Sequence, residues 1–366
     1  MLINKDIPVD DKIILNKLGK DADTPLRDLF SCTKYKSESS LYNRIRILRN
    51  KKYLFGPYFD INYNAIGRNK LFSVLVLAEY DLRHKEAVLD AMRKIDCWTM
   101  IYPVRTAEAY LGIYRCNNWN YIARLFNLMK RWGWLRDYSV HKSEYQWIRK
   151  NPNFFGDFLP SHNNQIPQEE LPPYQYEDLE TDCEFTEVDL AILKHLSMKT
   201  IHLTEIRDLE YQYLGLKRKY HDLKRSYERL RQTGVLVKKF FSLFPLPADM
   251  CTLFFLFSRG KNFTSHLNMM AHFGAESRLA KILIITSTTM ISYFMAHPLL
   301  EGKILGIIED NVNYVNIYGI RTYPSTEFST QTFNDNYFDL NSQRWIFPFT
   351  KFEEELKKLK EKRDLI

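Results

Sequence analysis

Seven basic residues lie between Lys34 and Lys52 (Lys34, Lys36, Arg44, Arg46, Arg49, Lys51 and Lys52), against one acid, Glu38. Seven more lie between Lys217 and Arg231 (Lys217, Arg218, Lys219, Lys224, Arg225, Arg229 and Arg231), against Asp222 and Glu228. Ser37, Ser39, Ser40, Tyr42 and Asn43 interleave with the first run, and Tyr220 and His221 with the second. Together these groups suit one kind of chemistry. Cations neutralise phosphates, and hydroxyl, amide and ring groups reach phosphate oxygens or base edges. A single basic run is usually a solvated helix face. Two runs at matching places in a repeated pattern point instead to nucleic acid. The segment from Ile166 to Asp189 carries nine acids and no Lys or Arg, so charge is segregated along a chain whose formal net charge is +8.

Other chemistries find little material. The nine histidines form no H-x-x-x-H or H-E-x-x-H, and the five cysteines (Cys32, Cys97, Cys116, Cys183, Cys251) never fall as C-x-x-C, so no metal is expected. Scattered thiols argue against a disulfide framework and suit a reducing cytoplasm. Gly is only 13 of 366 residues, and no P-loop, G-x-G-x-x-G or G-x-S-x-G occurs. No catalytic residue or cofactor is expected. The N-terminus lacks an apolar core, and the longest apolar runs fall far short of the roughly 20 residues of a membrane span. The reading is of a soluble, cytoplasmic chain.

Two copies of one plan supply the elements that position the basic runs. Pro8 to Leu18 matches Thr186 to Leu196, with Asp11 on Asp189, Ile14 on Ile192 and Leu15 on Leu193. Leu41 to Leu54 matches Leu223 to Leu236. Ile13, Ile14, Leu15 and Leu18 form the apolar face of a first helix, and Thr24-Pro25 opens a second. Ser37 with Ser40 opens a third helix, with Leu41, Ile45 and Leu48 inward and the basic face outward. Tyr53 to Tyr63, around Gly56-Pro57, reads as a hairpin or wing. An order of βαββαβ follows from Lys70 to His141 and again from Met250 to Tyr318, with a helix expected over Phe263 to Phe273. The fold class is α+β, with two winged helix-turn-helix domains alternating with two ferredoxin-like domains. Segments 1–66 and 186–246 are the winged helices, and 67–142 and 247–328 the ferredoxin-like domains. A proline-rich, acidic linker (143–185) joins the copies, and 329–366 holds an aromatic segment and an exposed, charged terminal helix.

The opening Asp10-Asp11-Lys12-Ile13-Ile14-Leu15, the stretch Asn43-Arg44-Ile45-Arg46-Ile47-Leu48 and Gly56 after Tyr53-Leu54 resemble the Lrp/AsnC family of transcription regulators. The resemblance covers Pro8 to Val140 and, more weakly, Thr186 to Tyr323. It implies a sequence-specific, non-enzymatic regulator of double-stranded DNA that pairs through its ferredoxin-like (RAM) domains into a dimer or larger assembly. The DNA-binding set is then Lys34, Lys36, Ser37, Ser39, Ser40, Tyr42, Asn43, Arg44 and Arg46, with Lys217, Arg218, Lys219, Tyr220, His221, Lys224 and Arg225. The family's amino-acid effector turn corresponds to Arg105–Ala109 and Ser287–Met290, neither of which has its glycine-acid pattern, so the effector is left unknown.

Two alternatives share the fold. Siroheme decarboxylases resemble Lrp/AsnC proteins and occur as paired or fused units. They carry a Trp-Pro-Tyr-Asn-like segment where this chain has Asn117-Asn118-Trp119-Asn120-Tyr121, without the proline. A winged helix also serves as a protein-docking module.

Overall fold

The computed structural model describes residues 7–104, 106–143, 145–160, 184–198, 202–259, 273, 277–286, 289–309, 314–321, 329–331 and 334–365. In chain order, the first half runs α1 (Val9–Lys20), α2 (Leu26–Phe30), α3 (Glu38–Asn50), β1 (Leu54–Ile61), β2 (Phe72–Tyr80), α4 (Lys85–Lys94), β3 (Trp98–Pro103), β4 (Ala109–Cys116), α5 (Trp119–Arg131), β5 (Leu135–Lys142) and β6 (Tyr145–Lys150). The second half continues with α6 (Glu187–Met198), α7 (Leu203–Leu214), α8 (Tyr220–Gln232), β7 (Leu236–Leu243), β8 (Thr252–Arg259), β9 (Ala280–Ile285), β10 (Met290–Ala296), α9 (Glu301–Glu309) and β11 (Tyr314–Arg321). Three two-residue strands, β12 (Ser329–Thr330), β13 (Phe338–Asp339) and β14 (Arg344–Trp345), precede α10 (Phe349–Asp364). The fold is mixed helix and sheet. Its two compact units each gather three separate stretches: 1–58, 145–174 and 239–324 in unit 1, and 59–144, 175–238 and 325–366 in unit 2.

In unit 1, Asp10 and Asp11 in the first turn of α1 and Lys17 and Lys20 in its last complement the helix dipole. Ser37 caps α3, its hydroxyl accepting from Ser40 N at 3.2 Å. The cap expected from Thr24 is absent, because α2 starts one residue after Pro25 and the Thr24 hydroxyl donates back to Asp21 O. Ile14, Leu15, Leu29, Leu41 and Leu48 close around Phe154, which is fully buried. Asn151 fastens the start of the linker here. Its amide donates to Gly19 O and Phe241 O, both at 3.0 Å, and its carbonyl accepts from Leu243 N. The sheet of this unit is antiparallel with order β11-β8-β10-β9-β6. Phe254, Leu256 and Phe294 pack there with Ile304 and Ile308 of α9. The helix expected over Phe263 to Phe273 falls almost wholly outside the described residues, as does the acidic part of the linker.

Unit 2 holds the antiparallel sheet β12-β3-β4-β2-β5, in which Val74 faces Tyr114 on one side and Lys142 on the other. Without β12 and β6, the orders β3-β4-β2-β5 and β9-β10-β8-β11 are the same, so both copies share one strand plan. Val74, Val76 and Tyr110 bury against Val88 and Met92 of α4 and Ile122 and Phe126 of α5. The terminal helix departs from expectation. The ion pair Glu353–Lys357 (2.8 Å) lies on α10, but Phe349, Phe352 and Leu356 join the core. A heavily charged sequence thus conceals an apolar stripe at helical spacing.

The expected hairpin at Tyr53–Tyr63 is not formed. Gly56-Pro57 sits inside one continuous strand, β1, and does not reverse the chain. Its partner is β7, from the second copy. Phe244 N donates to Tyr53 O (3.0 Å) at the end lying in unit 1, and Asn62 N to Val235 O (2.8 Å) at the end lying in unit 2.

Candidate functional site

Most residues singled out by charge lie on exposed faces of α3 and α8 or just before them, and each helix is held by a buried aspartate from the first helix of its own set. In unit 1, Asp11 is 1% exposed and accepts from Arg44 Nε at 2.7 Å and Nη2 at 2.5 Å. Burial and the Asp11 carboxylate push the Tyr35 phenol up, so it stays a neutral hydroxyl. In unit 2, Asp189 is fully buried and accepts from Thr186 N (2.7 Å), Thr186 Oγ1 (2.8 Å), Ser226 Oγ and Arg229. A carboxylate with this many donors is stable away from water.

Around these anchors, Lys34, Lys36, Ser37, Ser39, Ser40, Tyr42, Asn43 and Arg46 are all exposed. The Ser37 and Ser40 hydroxyls bond each other at 2.9 Å, and Ser37 also serves the cap. Arg44 must be set apart: its guanidinium is committed to Asp11, so it positions α3 from inside. In the second set, Lys217, Lys219, Tyr220, His221, Lys224 and Arg225 are exposed. Arg218 is drawn inward, to Glu210 at 3.5 Å and Glu187 at 3.4 Å. Lys224 lies 3.9 Å from Glu228. These cations can neutralise a polyanion, and the flanking groups can donate to or accept from it.

A second feature was not singled out from the sequence. Unit 2 contains a cavity of about 130 Å³. Tyr63 and Leu71 line it from the stretch after β1, Cys97 to Met100 from the start of β3, and Arg115 from the end of β4. Ser197 closes it from α6, and the C-terminal segment supplies Thr330, Gln331, Asn334, Trp345 and Phe347. The Arg115 guanidinium carbon lies 3.3 Å from the centre of the Tyr63 ring, and its buried Nε makes no hydrogen bond. The C-terminal segment is fastened by Asp96, which accepts from Gln331 Nε2 (3.1 Å), Asn334 Nδ2 (3.2 Å) and Tyr337 Oη (2.8 Å). Burial, and then Asp96, raise the Tyr337 phenol, which therefore keeps its proton. Burial, and then the Cys116 thiol beside it, raise the Cys97 thiol, so this sulfur is no ready nucleophile. No pattern in the sequence marks it, because its walls come from separated stretches of the chain. Of the effector turns, Arg105, Ser287 and Thr288 lie outside the described residues. Among the described residues, no cluster of three or more metal-binding side chains occurs and no helix is long and apolar enough to cross a membrane.

No protein-family model matches the chain, and no curated protein does. Solved structures of the siroheme decarboxylase NirDL align over nearly all of it. One covers 97% of this chain and 99% of that one, with 15% identity and a TM-score of 0.49. Another, in complex with an iron-uroporphyrin III analogue, covers 96% and 98%, with 16% identity and a TM-score of 0.49. AsnC of E. coli aligns with 38% of this chain and 92% of its own, at 14% identity and a TM-score of 0.31. The leucine response regulatory protein of Mycobacterium tuberculosis aligns with 37% and 91%, at 19% identity and a TM-score of 0.29. These likenesses assign no activity. They do correct one expectation: the chain was read as no enzyme, and that exclusion does not stand when the structures aligned over nearly its full length are those of an enzyme.

Proposed function

We propose that the chain binds duplex DNA through the exposed faces of α3 and α8, on a tandem of winged-helix (1–66 and 186–246) and ferredoxin-like (67–142 and 247–328) domains. The observation that carries this is the repeated arrangement of a buried aspartate that locks each helix and leaves a basic, hydroxyl- and amide-bearing face in solvent. Lys34, Lys36, Arg46, Lys217, Lys219, Lys224 and Arg225 contact phosphates, and Asn43, Tyr42, Tyr220 and His221 lie where base edges are read. Because the two faces differ, one chain reads an asymmetric site. Transcription regulation, pairing of chains through the α/β domains and an effector belong to the same reading.

Fluorescence anisotropy of a labelled duplex from the gene's own upstream region, with random competitor DNA at two salt concentrations, tests it. Competitor-resistant binding that falls steeply with salt is expected. Arg46→Ala should lower the slope of log affinity against log salt by about 1 while leaving stability unchanged. Asn43→Ala should relax specificity by about 1–3 kcal/mol at one base pair. Arg44→Ala should instead lower stability, since its charge answers Asp11. Unchanged binding in both Arg46→Ala and Asn43→Ala would remove α3 from the interface.

A second reading is an enzyme of the siroheme-decarboxylase kind. The observation favouring it is the shared strand order of the two copies, as expected of two fused units of one kind. Its test is an absorbance titration with iron-uroporphyrin III, followed by anaerobic incubation with siroheme and mass analysis. A shifted Soret band and loss of carbon dioxide from the macrocycle support the enzyme. Absence of both, with salt-dependent DNA binding retained, supports the regulator.

A further inference from the structure

We propose that the cavity around Arg115 is a binding site for a small carboxylate carried on a flat apolar body. The inference rests on neither functional reading above. Arg115 is half-buried at the end of β4, with its guanidinium stacked on Tyr63 at 3.3 Å. Stacking satisfies a face of the guanidinium and leaves its in-plane donors to be matched. Among the described residues the Arg115 side chain makes no hydrogen bond or ion pair, and its Nε, though not its terminal nitrogens, is buried without a partner. Buried polar groups are almost always paired, and an exception calls for a ligand or another explanation.

The cavity lacks a counter-charge of its own, since no Asp or Glu is among its described lining residues. Asp96, adjacent to Cys97 in sequence, has its carboxylate occupied by Gln331, Asn334 and Tyr337. The group that answers a guanidinium edge best is a carboxylate, which accepts from Nε and one terminal nitrogen in a two-pronged, charge-assisted pair. The rest of the wall describes the rest of the ligand. Trp98, Met100, Trp345 and Phe347 offer apolar and aromatic surface. A volume of about 130 Å³ suits a body of about one ring.

The experiment uses the full chain, whose Trp98 and Trp345 report on the cavity by intrinsic fluorescence. Benzoate and phenylacetate are titrated beside their neutral amides, with thermal shift as an independent readout. Saturable binding of either acid is expected, with a raised melting temperature and affinity at least about tenfold above that of the amide. Arg115→Met should lose that preference, and Arg115→Lys should recover part of it. No saturable response to either acid overturns the proposal, as does equal binding of acid and amide. Retained preference in a folded Arg115→Met variant also overturns it. So does Arg115-dependent binding of iron-uroporphyrin III without binding of the small acids, which would give the arginine to a macrocycle. The acid–amide comparison on the unaltered chain decides the matter even if the variants do not fold.

Discussion

Asp189→Ala is expected to cost unit 2 about 1–3 kcal/mol, the range for leaving buried donors without their acceptor, because Arg229, itself 40% exposed, can turn to solvent. The side chain is fully buried and is the acceptor for Thr186, Ser226 and Arg229. Truncation leaves the Ser226 hydroxyl, itself 6% exposed, without its acceptor and removes the charge that faces Arg229. It also unties the start of α6, where the carboxylate accepts the Thr186 amide. Urea denaturation should show the loss, and hydrogen exchange should place it in α6 and α8 rather than in the sheet. Asp189→Asn should cost less, because the amide carbonyl still accepts. A loss below about 1 kcal/mol in the alanine variant would mean that the aspartate does not anchor α8. Asp11→Ala should act in the same way on α1 and α3 of unit 1.

Trp345→Ala should be more severe, at about 3–5 kcal/mol. Trp345 is 1% exposed and packs against Phe338 at 5.0 Å and Phe347 at 6.1 Å between ring centres. Its indole N–H donates to Ile66 O at 2.8 Å, and its backbone is held by Asn69 and Asn117. The neighbouring turn at Gly67 has φ +86°, and a Cβ there would lie 2.7 Å from the Phe338 ring, so the chain passes too closely for a larger residue. Thermal unfolding should report the destabilisation, and limited proteolysis should begin between Thr330 and Phe347. Trp345→Phe retains most of the packing and loses the hydrogen bond, with an expected cost of about 1–2 kcal/mol. Normal stability in Trp345→Ala would show that the C-terminal segment is not part of the core.

The contrast between these residues marks what could be read from the sequence. The helices carrying the basic faces were legible because Ile14, Leu15, Leu18, Leu41 and Leu48 repeat at helical spacing and Ser37 marks a start. Asp11 and Asp189 could be aligned across the repeat, yet their role depends on Arg44 and Arg229, which reach them only after folding. Strand partners were harder still. β1 carries a Gly-Pro that suggests a turn, while its true partner is β7 in the other copy, and nothing local encodes that pairing. The cavity was least legible. Tyr63, Arg115 and Trp345 come from three regions of sequence, and none has a neighbour pattern that marks a site.

Each unit takes its three-helix set from one copy and its sheet from the other. The strand that follows each copy also adds to the sheet of the opposite copy, β6 beside β9 and β12 beside β3. A gene cut between the copies would therefore not yield two self-sufficient products. Each half would lack the core that the other supplies, and its folding would depend on complementation. Fusion thus fixes the two halves at equal dose and releases each from having to match itself.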